Sequence, residues 1–455
     1  MNPLNSGRRI RLSAIRRTGT ALLATLGFLA AAPSAHAVPS FARQTGADCA
    51  ACHVGAYGPQ LTPYGIKFKL GAYTETDGKS GKVPLSGMIV GSFTHTQKRQ
   101  DPAPDHSQPN NNHSLDEASL FLAGRLAEKV GAFIQATYDG IGRSTALDQV
   151  DVRAAHTLEL GGKETIIGLS LNNNPGVQDP FNTMPVWSFP YTASALGVGL
   201  GGTGTMINGG LEQRVAGVSA YAFWNNLIYA ELGTYRTLSP TMQSKIGIGR
   251  ADDPGRLGGG TAYWRLAVFQ DLKKQAFNAG VFGFNSSIQP RGESTGNRYN
   301  DLGVDASYQF LGTRKHVATV NTSFIRERQT LGQLFDAGEA DSRKARLNEF
   351  KLNASYHFDQ TWGATLGRFL TTGTADATRY DFSATGSPNS SGYIMQADWT
   401  PWGKEASWNA PWANLRLGAQ YTMYTKFNGA KNDYDGTGRN AKDNNILFLF
   451  AWTSF

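Results

Sequence analysis

The chain of 455 residues carries 43 Lys and Arg against 35 Asp and Glu, with 53 glycines, 11% aromatic and only 17% charged residues, and two cysteines. Five of the basic residues, Arg8, Arg9, Arg11, Arg16 and Arg17, fall in the first 37 positions; without them 38 basic residues face 35 acidic ones, a net of +3 that removes any case for nucleic-acid binding from charge. Past that segment no apolar run reaches 18 residues, which excludes a membrane-spanning helix.

Residues 1–37 read as a secretory signal peptide. The five arginines form a basic leader, "TALLATLGFLAAA" is an apolar run of the right length, and Ala35, His36 and Ala37 have the small-x-small pattern of a cleavage site, so the mature chain is expected to start at Val38. "RRIRLSA" and "RRTGTAL" match a twin-arginine signal poorly, which favours the ordinary export route.

Residues 38–83 contain both cysteines, Cys49 and Cys52, followed directly by His53. A disulfide across C-x-x-C closes too small a loop to constrain the unfolded chain, and a redox dithiol would need a βαβ context that is absent here. C-x-x-C-H instead matches c-type haem attachment. Two thiols three residues apart can bond both vinyl groups of one haem, which leaves the adjacent imidazole aimed at the iron. Cys49 and Cys52 are thus the expected thioether positions and His53 the proximal ligand of a single haem c, with a disulfide or a metal site as the alternatives. The segment is too short to fold alone and has no Met or second His, so a sixth ligand would come from the rest of the chain, or the iron would stay five-coordinate.

From 84 to 455 the sequence alternates with period two. Leu302, Val304, Ala306, Tyr308 and Phe310 alternate with Asp301, Gly303, Asp305, Ser307 and Gln309, and Phe350 to Phe358 and Leu415 to Met423 repeat the pattern. Sixteen strands are expected near 84–97, 114–126, 129–140, 149–160, 163–173, 210–223, 226–236, 260–272, 275–288, 299–311, 316–330, 345–359, 361–373, 391–402, 412–427 and 444–455. Eight long polar loops (98–113, 141–148, 174–209, 237–259, 289–298, 331–344, 374–390 and 428–443) alternate with seven mostly tight turns. Outer-membrane barrels place long loops outside and short turns in the periplasm. The expected fold is therefore all-β, an antiparallel outer-membrane β-barrel of about 16 strands behind a short, partly helical haem segment, with both termini on the periplasmic side. A soluble sandwich or propeller shares the alternation but explains neither the loop asymmetry nor the terminal aromatic strand "ILFLFAWTSF". In that strand Phe448, Phe450 and Trp452 share the lumen face, suited to pack against haem or against Phe68 and Tyr73.

Parity ranks the possible distal ligands. Met88 and His357 fall on the lumen face, whereas His95, His156, Met395 and Met423 fall on the lipid face and His106 and His113 in an outer loop. Met184 lies in the longest loop, which is aromatic and Pro-rich enough to fold inward as a plug. Hard cations prefer oxygen ligands, so Asp433, Asp435 and Asp443 are candidates for a transient Fe(II) site in an outer loop.

The stretch Pro39–Thr74, with "FARQTG" before the haem motif and "LTPYG" and "KFK" after it, resembles the N-terminal segment of the fused outer-membrane monohaem cytochrome c-porins, the iron-oxidising outer-membrane cytochrome type. Members commonly carry Phe-Pro after the haem histidine, where this chain has "AYGP". The resemblance implies electron transfer from extracellular Fe(II), through the haem, to a periplasmic electron carrier such as a soluble cytochrome c. The same design would serve another extracellular electron donor or acceptor, and a porin-like barrel with a sensory haem is the third reading.

Overall fold

A computed structural model describes residues 38–200, 203–249, 253–410 and 412–455. The signal-peptide reading of 1–37 lies outside the described residues. From Leu85 onward the chain forms one antiparallel sheet of seventeen strands, sixteen of them nine residues or longer: β1 (Leu85–Thr96), β2 (Asn112–Ala127), β3 (Val130–Asp139), β4 (Ser144–Leu160), β5 (Lys163–Asn172), β6 (Val215–Trp224), β7 (Ile228–Thr237), the two-residue β8 (Arg256–Leu257), β9 (Ala262–Asp271), β10 (Gln275–Gln289), β11 (Asn297–Phe310), β12 (His316–Thr330), β13 (Lys344–Phe358), β14 (Trp362–Gly373), β15 (Ser390–Trp399), β16 (Asn414–Lys426) and β17 (Ile446–Ser454). Each long strand pairs with its sequence neighbour, and β1 pairs with β17 from Met88↔Ser454 to Thr96↔Ile446. That last pairing closes the sheet into a barrel and leaves no free edge.

Alternation gives the two faces opposite chemistry. Along β11, Leu302 and Val304 are 52% and 50% exposed on the outer surface while Asp301, Asp305, Ser307 and Gln309 are buried inward. Leu169, Leu171, Leu232, Leu266, Leu352 and Leu366 continue the exposed apolar surface, and stacked Trp362 and Trp399, 5.6 Å apart, mark its border at the short-turn end. Such a band is what lipid requires of a barrel exterior. As expected, Met88 and His357 point inward and are buried, whereas Met395 and His156 are exposed on the outer face.

Two connections break the long–short alternation. The expected long loop 141–148 is a four-residue link, 140–143, because Ala146 and Leu147 continue the β3–β4 ladder past a bulge and the Leu147 amide is capped by the Ile246 carbonyl at 2.8 Å. On the opposite end, the connection between β15 and β16 is 400–413, longer than the expected 403–411 and than the other turns at that end. His113 belongs to β2 rather than to a loop and packs against Phe93 at 4.9 Å.

The lumen is filled. The 173–214 loop folds into it, as its composition suggested: Val177, Phe181, Met184 and Phe189 are buried there. Asp179 accepts from the amides of Phe181, Thr183 and Met184 and lies 3.2 Å from Arg265 Nε on β9, while the Arg265 fork grips Asp305 on β11 at 2.7 and 3.1 Å. Farther along, the backbone amides of Met206 and Ile207 donate to Glu327 and Asp301 at 2.6 and 2.8 Å, and that of Thr205 to Glu349. A buried backbone needs partners, and inward carboxylates of three adjacent strands supply them.

Candidate haem-binding site

Residues 38–83 occupy the short-turn end of the lumen. Three short helices, α1 (Pro39–Thr45), α2 (Cys49–Cys52) and α3 (Pro63–Leu70), carry the segment. Polar groups tie it to strands all round the wall. Asn414 on β16 donates to the Ala56 carbonyl at 2.8 Å, Gln309 on β11 to that of Leu61 at 2.7 Å, and Tyr221 on β6 to that of Leu70 at 2.7 Å. Tyr73 donates to Asp151 on β4 at 2.6 Å, and Arg314, in the β11–β12 turn, donates to the Ala50 carbonyl. Contacts on that many strands place the segment inside the barrel mouth.

The motif residues share one turn. Cys49 and Cys52 stand at i and i+3, so their side chains lie on one helix face, and the His53 amide closes the turn on the Cys49 carbonyl at 2.9 Å. His53 then turns extended and bridges Leu61, with Val54 bonded to Gln60 at 3.0 Å and Thr62 to the Cys52 carbonyl at 2.9 Å. The "LTPYG" stretch explains itself here. Thr62 caps α3 through Gly65 N at 3.3 Å and donates to the Ala51 carbonyl at 2.5 Å, and Pro63 starts the helix with its fixed φ. Gly65 lets α3 cross the haem-motif turn, since a Cβ there would stand 2.4 Å from the Cys52 carbonyl oxygen. In "FARQTG", Phe41 packs on Phe68 and Tyr73 at 5.0 and 5.2 Å, and Gln44 joins the Tyr73 and Glu75 carbonyls to the Arg125 amide of β2.

The two thiols are free and half-buried. Burial pushes Cys49 up to about 11 and Cys52 up to about 12, so both are neutral thiols at neutral pH. Burial also draws His53 down to about 4, against a smaller opposing pull from the Gly58 carbonyl, leaving a neutral imidazole, the form that ligates a metal. Its Nδ1 is buried without a hydrogen bond. The donor set fits a haem: two unpaired thiols on one helix face, a neutral imidazole beside them and no competing disulfide.

The barrel wall approaches the loop after His53 at two glycines. At Gly55, whose φ is +67°, a Cβ would come 2.5 Å from His357 Nδ1; at Gly58, φ +90°, it would come 3.2 Å from Arg416 Nη1. His357 makes no hydrogen bond to any described residue, whereas Met88 sits in the apolar cluster with Tyr57, Phe121, Phe450 and Trp452. Trp452 packs edge-on to Tyr57 at 5.0 Å, so the inward aromatics of β17 meet Tyr57 and not Phe68 or Tyr73, which pack on Phe41. Sequence reasoning missed Arg416 as a site residue although parity already turns it inward between the outward Leu415 and Leu417.

The loop carboxylates do not assemble. Asp433 and Asp435 accept amides of their own turn, from Gly438 at 2.6 Å and from Thr437 and Arg439 at 2.9 and 3.1 Å, and Asp443 accepts that of Asn440 at 3.0 Å. Among the described residues no group of three or more His, Cys, Asp or Glu is placed to hold a metal ion.

No protein-family model matches the chain, and no curated protein is similar to it by sequence. Among solved structures it is similar to an anion-selective porin from Comamonas acidovorans (13% identity, TM-score 0.45, covering 81% of this chain and 98% of the porin). It is also similar to the outer membrane channel DcaP of Acinetobacter baumannii (11%, 0.46, 82% and 96%) and to OprB of Pseudomonas putida (12%, 0.46, 82% and 94%). Likeness at this level says nothing of what the chain binds.

Proposed function

We propose that the protein is an outer-membrane electron conduit: a single haem c on Cys49 and Cys52, with His53 as proximal ligand, housed in the barrel mouth. The observation that carries this reading is the enclosure of two free thiols and a neutral imidazole on one turn, inside a lumen that the segment itself plugs. A plugged barrel is poorly suited to passing solutes, but it can hold a redox group across an apolar band about 25 Å tall. A haem bound there supplies one reversible one-electron couple. The chain's own residues hold it covalently, present one imidazole nitrogen and exclude bulk water.

The apolar exterior and the loop asymmetry favour the outer membrane, with the short-turn end in the periplasm. The resemblance of Pro39–Thr74 favours extracellular Fe(II) as donor: each Fe(II) gives up one electron to become Fe(III), and a periplasmic electron carrier such as a soluble cytochrome c takes that electron away. A conduit for a different donor is the second reading. For the distal ligand, His357 is preferred to Met88, because it abuts the loop after His53 and makes no hydrogen bond to any described residue.

The test is to produce the chain with cytochrome c maturation machinery and follow haem that survives denaturing separation. Cys49→Ser with Cys52→Ser should abolish it, while His53→Ala should keep the covalent haem and change its spectrum. Wild type without covalent haem would sink the proposal. Rapid mixing of oxidised holoprotein with Fe(II) and with a hydroquinone then separates the donors: reduction by hydroquinone alone would reject iron.

A further inference from the structure

Among the described residues three arginines lie almost wholly buried on the lumen wall, and two of them have evident work. Arg153 pairs with Asp151 at 2.7 Å and donates to the Lys69 carbonyl at 3.3 Å, and Arg265 grips Asp305 and Asp179. Arg416 differs. It is 2% exposed, yet it donates no hydrogen bond to any described residue; its Nε is buried and unpartnered. The nearest carboxylate, Asp398, is 3.5 Å from Nε, beyond a good charge-assisted bond, and its other oxygen already accepts from Gln396 at 3.0 Å. The guanidinium also lies over the Tyr57 ring at 5.6 Å and against Gly58, so it faces the loop that follows His53.

A buried guanidinium whose Nε has no hydrogen-bond partner and whose nearest carboxylate stands off at 3.5 Å is costly unless a further anion completes it. Its planar fork matches a carboxylate. Resting on the haem reading above, we propose that Arg416 receives a propionate carboxylate of the haem held at Cys49, Cys52 and His53, and thereby sets its reduction potential. Asp398 positions the guanidinium from behind. While the propionate is paired, its negative charge is offset; once unpaired, it stabilises the ferric state and the potential falls.

The test uses full-length holoprotein, with heat-modifiable electrophoretic mobility confirming the folded barrel. Covalent haem should be present in wild type, Arg416→Gln, Arg416→Lys and Asp398→Asn alike, because attachment runs through the cysteines; its absence from wild type would defeat the haem reading instead. Arg416→Gln should lower the midpoint potential by about the equivalent of a tenfold change in the ferrous-to-ferric ratio, ~59 mV for one electron. Arg416→Lys should lower it less, and Asp398→Asn, which removes a negative charge, should raise it. Asp398, His357, Tyr57 and Tyr191 are the titratable groups that face the guanidinium; they are common to both proteins, so in Arg416→Gln the potential should become more pH-dependent than in wild type in the mildly acidic range as the released carboxylate titrates. An unchanged potential in Arg416→Gln, a fall in Asp398→Asn, or a lowered potential as flat with pH as wild type would each overturn the assignment. Should Arg416→Gln fail to fold, the opposite signs required of Arg416→Lys and Asp398→Asn decide it.

Discussion

The contact between Gly55 and His357 offers a direct measure of how tightly the N-terminal segment is seated in the barrel. Gly55 has φ +67°, and a Cβ there would lie 2.5 Å from Nδ1 and 2.6 Å from Cε1 of His357. Gly55→Ala therefore carries two separate costs. Left-handed backbone costs a Cβ-bearing residue about 1–2 kcal/mol wherever it occurs. Overpacking against a buried ring adds about 1–3 kcal/mol. Only the second should vanish when His357→Ala removes the ring, so the double mutant should be more stable than the sum of the singles by about 1–3 kcal/mol, well outside the few tenths expected of independent sites. The assay is protease digestion of residues 38–83 in the haem-free chain, so that no iron bond contributes. Under conditions where the segment opens and closes faster than it is cut, the rate reports the population of the opened state. Gly55→Ala alone, losing about 2–5 kcal/mol in all, should then be digested at least roughly thirtyfold faster than wild type. Additive effects of the two substitutions would refute the seating of Gly55 on His357, and with it the placement of the segment inside the mouth.

Lys69 on α3 is buried, donates to the Val177 carbonyl and Asn182 at 2.8 Å each, and lies 4.6 Å from the Trp187 ring centroid, so it joins the segment to the inward loop. Burial, with Arg153 adding to it, draws Lys69 down to about 7. Its value in the open chain is about 10.4, so the undocked state binds more protons between those values and docking should strengthen as pH rises from about 7 to about 10. Protease protection that does not grow over that window in wild type, or that grows equally in Lys69→Met, would contradict this. Arg265→Ala leaves Asp179 and Asp305 buried and unpaired at a cost of about 3–5 kcal/mol; the 173–214 loop should detach and single-channel conductance in planar bilayers should rise, whereas a wild-type conductance would deny the loop its anchor. Val304→Arg, midway along β11 on the outer face, should cost about 2–4 kcal/mol in folding into lipid, and normal folding of this variant would mean that the face assignment is inverted.

What could be read from the sequence was the part governed by period. Each of the sixteen long strands lies within about five residues of its expected position, because inward–outward alternation is a local property that any register slip would reverse. The inward fold of the longest loop was likewise legible, since Val177, Phe181 and Met184 have no place in a solvated loop. Loop length was less so: residues 144–148 look polar enough for a loop, and only the β3 ladder and the Ile246 carbonyl draw them into a strand. The site divides in the same way. Cys49, Cys52 and His53 are adjacent in the chain, and their spacing alone states a geometry. Arg416, His357 and Asp398 lie more than 300 residues away and reach the motif only because β17 pairs with β1 and closes the barrel. Parity could turn each of them inward, but no local pattern could say which inward residue would face Gly55 and Gly58. The two glycines were the usable signal. A loop that twice gives up its Cβ directly after His53 implies two large groups pressed against it, and in a segment too small to supply them, those groups had to come from the wall.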